Sequence, residues 1–260
     1  MEVVILSDAA AVGACVADAI ERLVEAKGGA TLGLATGSSP LPTYTELIRR
    51  HREGLSFARC TAFLLDEYLG LAAGHPEGYR AYLKRVLVDH IDLADAALVG
   101  PDVTDARPDA ACRAYEARIQ AAGGIDLQLL GIGSDGHIGF NEPMSSFQSR
   151  TRIKTLTAET RRDNARFFGG DAEAVPQHVI TQGIGTLLEA RHLVLVATGA
   201  GKAACIQRAL EGPMAALVPA TALQLHPHVT VVLDEASASR LTLRDYHRET
   251  FRAKPSWQQL

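Results

Sequence analysis

Within eight residues, Asp135-Gly136-His137-Ile138-Gly139-Phe140-Asn141-Glu142 sets one imidazole between two carboxylates. Imidazole titrates near neutral pH, and flanking carboxylates fix its tautomer and favour its charged form, so the segment suits a proton shuttle. Its glycines let the backbone turn sharply and approach a ligand. A plain turn with an incidental histidine would use the same signals, since Asp-Gly is itself a turn dipeptide. Metal binding by Asp135, His137 and Glu142 ranks below acid–base work: only one donor is an imidazole, no cysteine is near, and neither HExxH nor zinc-ribbon spacing is present. His226 and His228 are read as a helix-to-strand connection around Pro227 rather than as a metal pair.

Two further groups could join such a site. Asp66-Glu67 follows the apolar run AFLL and places adjacent carboxylates at a strand's carboxyl end, exposed to a substrate, where one could act as a base. A solvated strand end is the plainer alternative. Thr36-Gly37-Ser38-Ser39-Pro40 lies between a strand and a helix and offers an anion backbone amides, hydroxyls and a positive helix end. It is not the GxxxxGK[ST] loop, and a serine-capped turn with proline at the first helical position is the alternative. Arg161, Arg162, Arg166 and Lys202 are candidate cations; Lys202 follows a glycine-rich turn where a helix begins.

The elements that must position these residues alternate. Apolar runs at 3–6, 31–36, 61–68, 125–133, 192–199 and 229–234 read as strands, and helical patterns fall in an alanine-rich stretch after the first strand to about Lys27 and at about 41–50, 107–122, 182–190 and 202–210. Continuous rather than alternating apolar runs predict parallel strands covered on both faces. The expected architecture is one doubly wound, mostly parallel α/β domain over 1–260, with ligands beyond the carboxyl ends of its strands. A polar stretch within about 150–190 interrupts the rhythm and is read as a lid excursion.

Composition narrows the classes further. In 260 residues, 47% are hydrophobic and 22% charged, which excludes disordered and disulfide-stapled chains. A net charge of -4 without a long basic run argues against nucleic acid and anionic membranes as partners. Apolar runs fall far short of a spanning helix, and no leader is visible. Four scattered cysteines without CxxC spacing read as reduced thiols in a cytoplasmic protein.

Taken together and in order, LGLATGSSPLPTY (32–44), FLLDEYLGL (63–71), HPEGY (75–79), GIGSDGHIGFNEP (131–143), SRTRIKTLT (149–157), NARFFGG (164–170), QGIGTLLEA (182–190), TGAGKA (198–203) and LQLHP (223–227) resemble the glucosamine-6-phosphate deaminase family. The resemblance implies a Rossmann-like fold and conversion of glucosamine 6-phosphate and water into fructose 6-phosphate and ammonia, with no cofactor. It implies that Asp66 moves the proton between C2 and C1, and that His137 opens the sugar ring with Asp135 and Glu142 completing its relay. Gly37, Ser38, Ser39, Arg166 and Lys202 would hold the phosphate. Many relatives in the family are homo-oligomers activated by N-acetylglucosamine 6-phosphate, and the corresponding block here is Ser145, Ser146, Arg152 and Lys154. Met1-Glu2 and the region of Tyr246 depart from the pattern of activated members. Two rivals are a 6-phosphogluconolactonase-like hydrolase, whose related DGH loop usually lacks the Asn141-Glu142-Pro143 continuation, and a non-catalytic sugar-phosphate sensor, which would not need the relay.

Overall fold

The computed structural model describes residues 1–72, 74–255, 258 and 260. The chain runs β1 (Glu2–Leu6), α1 (Ala9–Lys27), β2 (Thr31–Leu34), α2 (Leu41–Arg52), β3 (Thr61–Leu64), β4 (Asp66–Tyr68) and α3 (Tyr79–Val86). It continues through β5 (Leu98–Val99), α4 (Pro108–Ala121), β6 (Leu127–Leu130), β7 (Arg152–Thr155), α5 (Ala158–Asn164) and β8 (His178–Thr181). The last elements are α6 (Ile184–Leu187), β9 (His192–Ala197), α7 (Ala203–Glu211), β10 (Val229–Asp234) and α8 (Arg244–Arg252).

Seven strands form a parallel sheet in the order β1-β10-β9-β6-β2-β3-β5. Every residue of β2, β6, β9 and β10 is buried, as strands covered on both faces must be. Local chemistry sets the helix ends: Asp8 caps α1 by accepting from the Ala11 N–H, and Gly28 closes it in the left-handed region at φ 62°. The strand order reverses between β2 and β6, since β3 and β5 lie on one side of that pair and β9 and β10 on the other. Loops leaving the carboxyl ends of those two strands therefore diverge over a crevice, where open α/β sheets bind ligands. The pair is also tightly fitted: a Cβ on Gly33 would sit 1.9 Å from Oε1 of the buried Gln128.

Three expectations change in detail. The run at 61–68 is not one strand; it changes sheets at Leu65, and β4 pairs antiparallel with β8 in a separate sheet of order β4-β8-β7. That passage takes Asp66 and Glu67 inside, at 5% and 8% exposure, instead of leaving them at a solvated strand end. Nor is 150–190 a single excursion, because β7 and β8 belong to the second sheet and α6 is buried; only the segment between β7 and β8 projects over the crevice. The helix expected at 182–190 is one turn. Gly183 packs so closely there that a Cβ would lie 2.1 Å from the Ser149 carbonyl oxygen. Among the described residues no helix is long and apolar enough to cross a membrane.

Candidate active site

The crevice holds a cavity of about 370 Å³. The loop after β2 forms one wall with Gly37, Ser38 and Ser39, and the loop after β6 forms another with Gly131, Gly133 and His137. Gly37 has φ 94°, a left-handed conformation that glycine adopts without strain, and its carbonyl accepts the Tyr82 hydroxyl at 3.0 Å. Lys202, at the start of α7, donates from Nζ to the Ile132 carbonyl at 2.7 Å and so bridges the third strand end to the second. Arg166 reaches the rim from the segment after α5, its guanidinium 4.7 Å from the centroid of Phe167. All five expected phosphate ligands thus face one space. Arg161 does not join them: it bonds Val175 O and Glu173 and does not line the cavity.

His137 is seated by a missing side chain. A Cβ on Gly133 would lie 2.2 Å from His137 Cε1, while the Gly133 N–H donates to His137 O at 2.9 Å. Asp135 Oδ1 lies 2.7 Å from His137 Nδ1 and also accepts the His137 backbone N–H at 3.1 Å. Burial opposes charge on Asp135, but the hydrogen bond, charge and backbone N–H of His137 prevail and bring its carboxyl down to about 2. The carboxylate is therefore ionised near neutral pH and lies against the imidazole ring. Glu142 is buried and its Oε1 accepts the Thr160 hydroxyl at 2.6 Å. Donor atoms of Asp135, His137 and Glu142 fall within 4.8 Å of one another, so the structure brings the three expected residues together. The same trio has the spacing to hold a metal ion, with one nitrogen and two carboxylate donors.

Asp66 faces the cavity from β4. Burial, then the adjacent Glu67 charge, push its carboxyl well above the usual carboxylate range. Glu67 has another job: it accepts from the backbone N–H groups of Tyr68, Tyr79 and Arg80 and so caps the start of α3. Of the two adjacent carboxylates, only Asp66 lines the cavity.

Several contributors escaped the sequence reading. Tyr79 donates to the Tyr68 hydroxyl at 3.0 Å, and Asn164 Nδ2 donates to that same oxygen at 3.1 Å. Burial pushes Tyr68 up to about 12 and Tyr79 also upward, so both phenols stay protonated. Asp234, at the end of β10, accepts the Gly199 and Ser237 N–H groups and fixes the turn that precedes Lys202. No local pattern marks these residues, although Thr157-x-x-Thr160 carries a recognisable helix-cap signature.

The block expected for an activator lies outside the cavity. Arg152 donates to Asn141 Oδ1 at 2.9 Å and Ser145 Oγ at 3.1 Å, and Ser145 Oγ donates to Glu142 O at 2.7 Å. Ser146 accepts the Gln148 N–H. His226 is held between Ala190 O and the His228 backbone, and His228 stacks on His192 at 3.7 Å, in keeping with a structural connection.

Comparison with known proteins agrees with this geometry. The family model described as glucosamine-6-phosphate isomerases/6-phosphogluconolactonase matches residues 7–232. A glucosamine-6-phosphate deaminase of Pseudarthrobacter chlorophenolicus is 58% identical over 258 residues, covering 99% of each chain. The solved structure of a monomeric glucosamine-6-phosphate deaminase superposes with a TM-score of 0.90 at 40% identity, covering 92% of this chain and 100% of that one. A 6-phosphogluconolactonase from Trypanosoma cruzi shares the fold, with a TM-score of 0.74 at 20% identity over 93% of this chain and 97% of its own. The chain belongs to the glucosamine-6-phosphate isomerase/6-phosphogluconolactonase family. Within that family its function is that of the glucosamine-6-phosphate deaminases.

Proposed function

We propose that the cavity binds glucosamine 6-phosphate and converts it, with one water, into fructose 6-phosphate and ammonia by acid–base catalysis without a cofactor. The observation that carries this reading is that Asp66 and His137 face one cavity whose rim holds Gly37, Ser38, Ser39, Arg166 and Lys202. The loop amides and the two cations take the phosphate, which leaves the sugar ring over the two titratable groups. His137 moves the proton between the anomeric hydroxyl and the ring oxygen as the C1–O5 bond breaks. Asp135 holds its ring, and Glu142 completes the relay. Asp66 then removes the C2 proton and returns it to C1 while one proton passes from the amine nitrogen to the C1 oxygen, producing the C2 imine and the C1 hydroxyl. Water adds to that imine and ammonia leaves, giving the ketose. An up-shifted carboxyl is suited to the proton transfer, because a stronger base abstracts a carbon-bound proton more readily. A sensor would bind the phosphate equally well without burying Asp66 at this cost.

Asp66→Asn should still bind the sugar phosphate while releasing ammonia at least ~10²-fold more slowly, the scale of a general base. Turnover near that of the unaltered protein would overturn the role of Asp66.

The reading extends to regulation. Ser145, Ser146, Arg152 and Lys154 form an anion site for N-acetylglucosamine 6-phosphate in a homo-oligomer. In support, burial lowers the pKa of Arg152, and burial followed by the nearby Arg152 charge lowers that of Lys154, so a bound anion would relieve both. Rate against substrate should shift to lower half-saturation when the N-acetyl sugar phosphate is added. An unchanged curve, or sedimentation as a monomer, would contradict this extension. Four free thiols, at Cys15, Cys60, Cys112 and Cys205, support a cytoplasmic location.

A further inference from the structure

We propose that Thr160 is a positioning residue of this reaction: its hydroxyl sets the Glu142 carboxylate in place and makes that placement depend on the segment that carries Arg166. The proposal rests on the relay role given above to Glu142. Thr160 Oγ1 lies 2.6 Å from Glu142 Oε1, and both side chains are buried, at 8% and 5% exposure. A hydroxyl has one proton, and its direction here is determined. Thr157 Oγ1 accepts the Thr160 N–H at 3.1 Å as the cap of α5 and donates its own proton to Thr160 Oγ1 at 3.0 Å. Thr160 therefore directs its proton onto Glu142. A hydroxyl chain runs from the helix cap into the relay.

The same short segment meets the site at two other points. Asn164, at the end of α5, bonds the Tyr68 hydroxyl, and Arg166 follows two residues later at the cavity rim. Thr160 also lines the cavity. When Arg166 engages a phosphate, the segment is held down and Thr160 meets Glu142. If the segment lifts, the buried carboxylate loses the donor the structure gives its Oε1. Binding energy from the remote phosphate is thereby used to order a group at the reacting end, which lowers the barrier rather than only KM.

The experiment compares Thr160→Val, Thr160→Ser, Glu142→Gln and the Thr160→Val/Glu142→Gln double variant by steady-state ammonia release. Thr160→Val should lower kcat about tenfold or more, the effect of losing one hydrogen bond to a charged group, with KM within twofold. Thr160→Ser, which restores the hydroxyl, should return kcat to within twofold of the unaltered protein. In the Glu142→Gln background the valine should cost far less, because the residue acts through the carboxylate. An unimpaired Thr160→Val beside an impaired Glu142→Gln would overturn the proposal alone. So would equal losses for valine and serine, or the same valine loss in both backgrounds. An unimpaired Glu142→Gln would overturn the relay role of Glu142 and this proposal with it.

Discussion

Asp66 and His137 owe their chemistry to opposite surroundings. Asp66 is buried next to another carboxylate and resists ionisation; Asp135, beside the imidazole, is held ionised. A group whose folded pKa is raised adds stability below its unfolded value, near 3.8, and loses that contribution as pH rises through the folded value. Replacing Asp66 by Asn removes the cost of burying an ionisable carboxyl, so at neutral pH the variant should melt at a higher temperature than the unaltered protein. The gap should close as pH falls toward about 4, where both side chains are neutral in the folded protein. Melting curves from about pH 4 to 8 check this, and a gap that is constant or reversed would contradict the burial argument. Gly133 gives a second residue-scale test. With a Cβ placed 2.2 Å from the His137 ring, Gly133→Ala must displace the imidazole from Asp135, so turnover should fall by ~10² or more while phosphate binding persists. Unchanged turnover would show that the ring has another acceptable seat.

At the scale of elements, the loops after β2, β6 and β9, the strand β4 and one excursion converge on the cavity, and groups outside the chemistry help to hold them. Asp234 ties the turn before Lys202 to the end of β10 through the Gly199 N–H. Asp234→Ala should loosen that turn and raise KM several-fold with little change in kcat, whereas Asp234→Asn, which keeps an acceptor oxygen, should retain most of the affinity. Initial rates across a substrate range decide it; a pure kcat loss would contradict a phosphate-loop role. The parallel sheet was legible in the sequence because β2, β6, β9 and β10 are continuous apolar runs. The second sheet was not. Its strands are three or four residues long, β7 is polar, and nothing in the unbroken run FLLDEY marks the crossing at Leu65. The helices α3, α5 and α8 were also missed; α8 is mostly charged and polar, and Phe251 is its one aromatic packed against the core.

Over the whole molecule, the cluster that is close in sequence was legible from local pattern, the distant residues Asp66, Arg166 and Lys202 were reached through the family resemblance, and the contacts between distant residues escaped both. Asp135, His137 and Glu142 occupy one loop, and the structure brings together the three residues that the sequence singled out. The Asn164–Tyr68 bond joins residues 96 positions apart, and only the fold brings them together. Burial of Asp66 likewise depends on β4 pairing with β8, a contact absent from local sequence. The shared fold with a 6-phosphogluconolactonase leaves the choice of reaction to side chains, and here Asn141 and Glu142 give it physical content. Asn141 locks the turn to Ile138, Gln182 and Arg152, and a carboxylate oxygen of Glu142 lies within 4.8 Å of the donor atoms of Asp135 and His137. The most direct test is the release of ammonia and fructose 6-phosphate from glucosamine 6-phosphate, with a chelator present and no added cofactor. Equimolar release of both products is the predicted result; no release, with binding of the sugar phosphate still measurable, would contradict the deaminase mechanism.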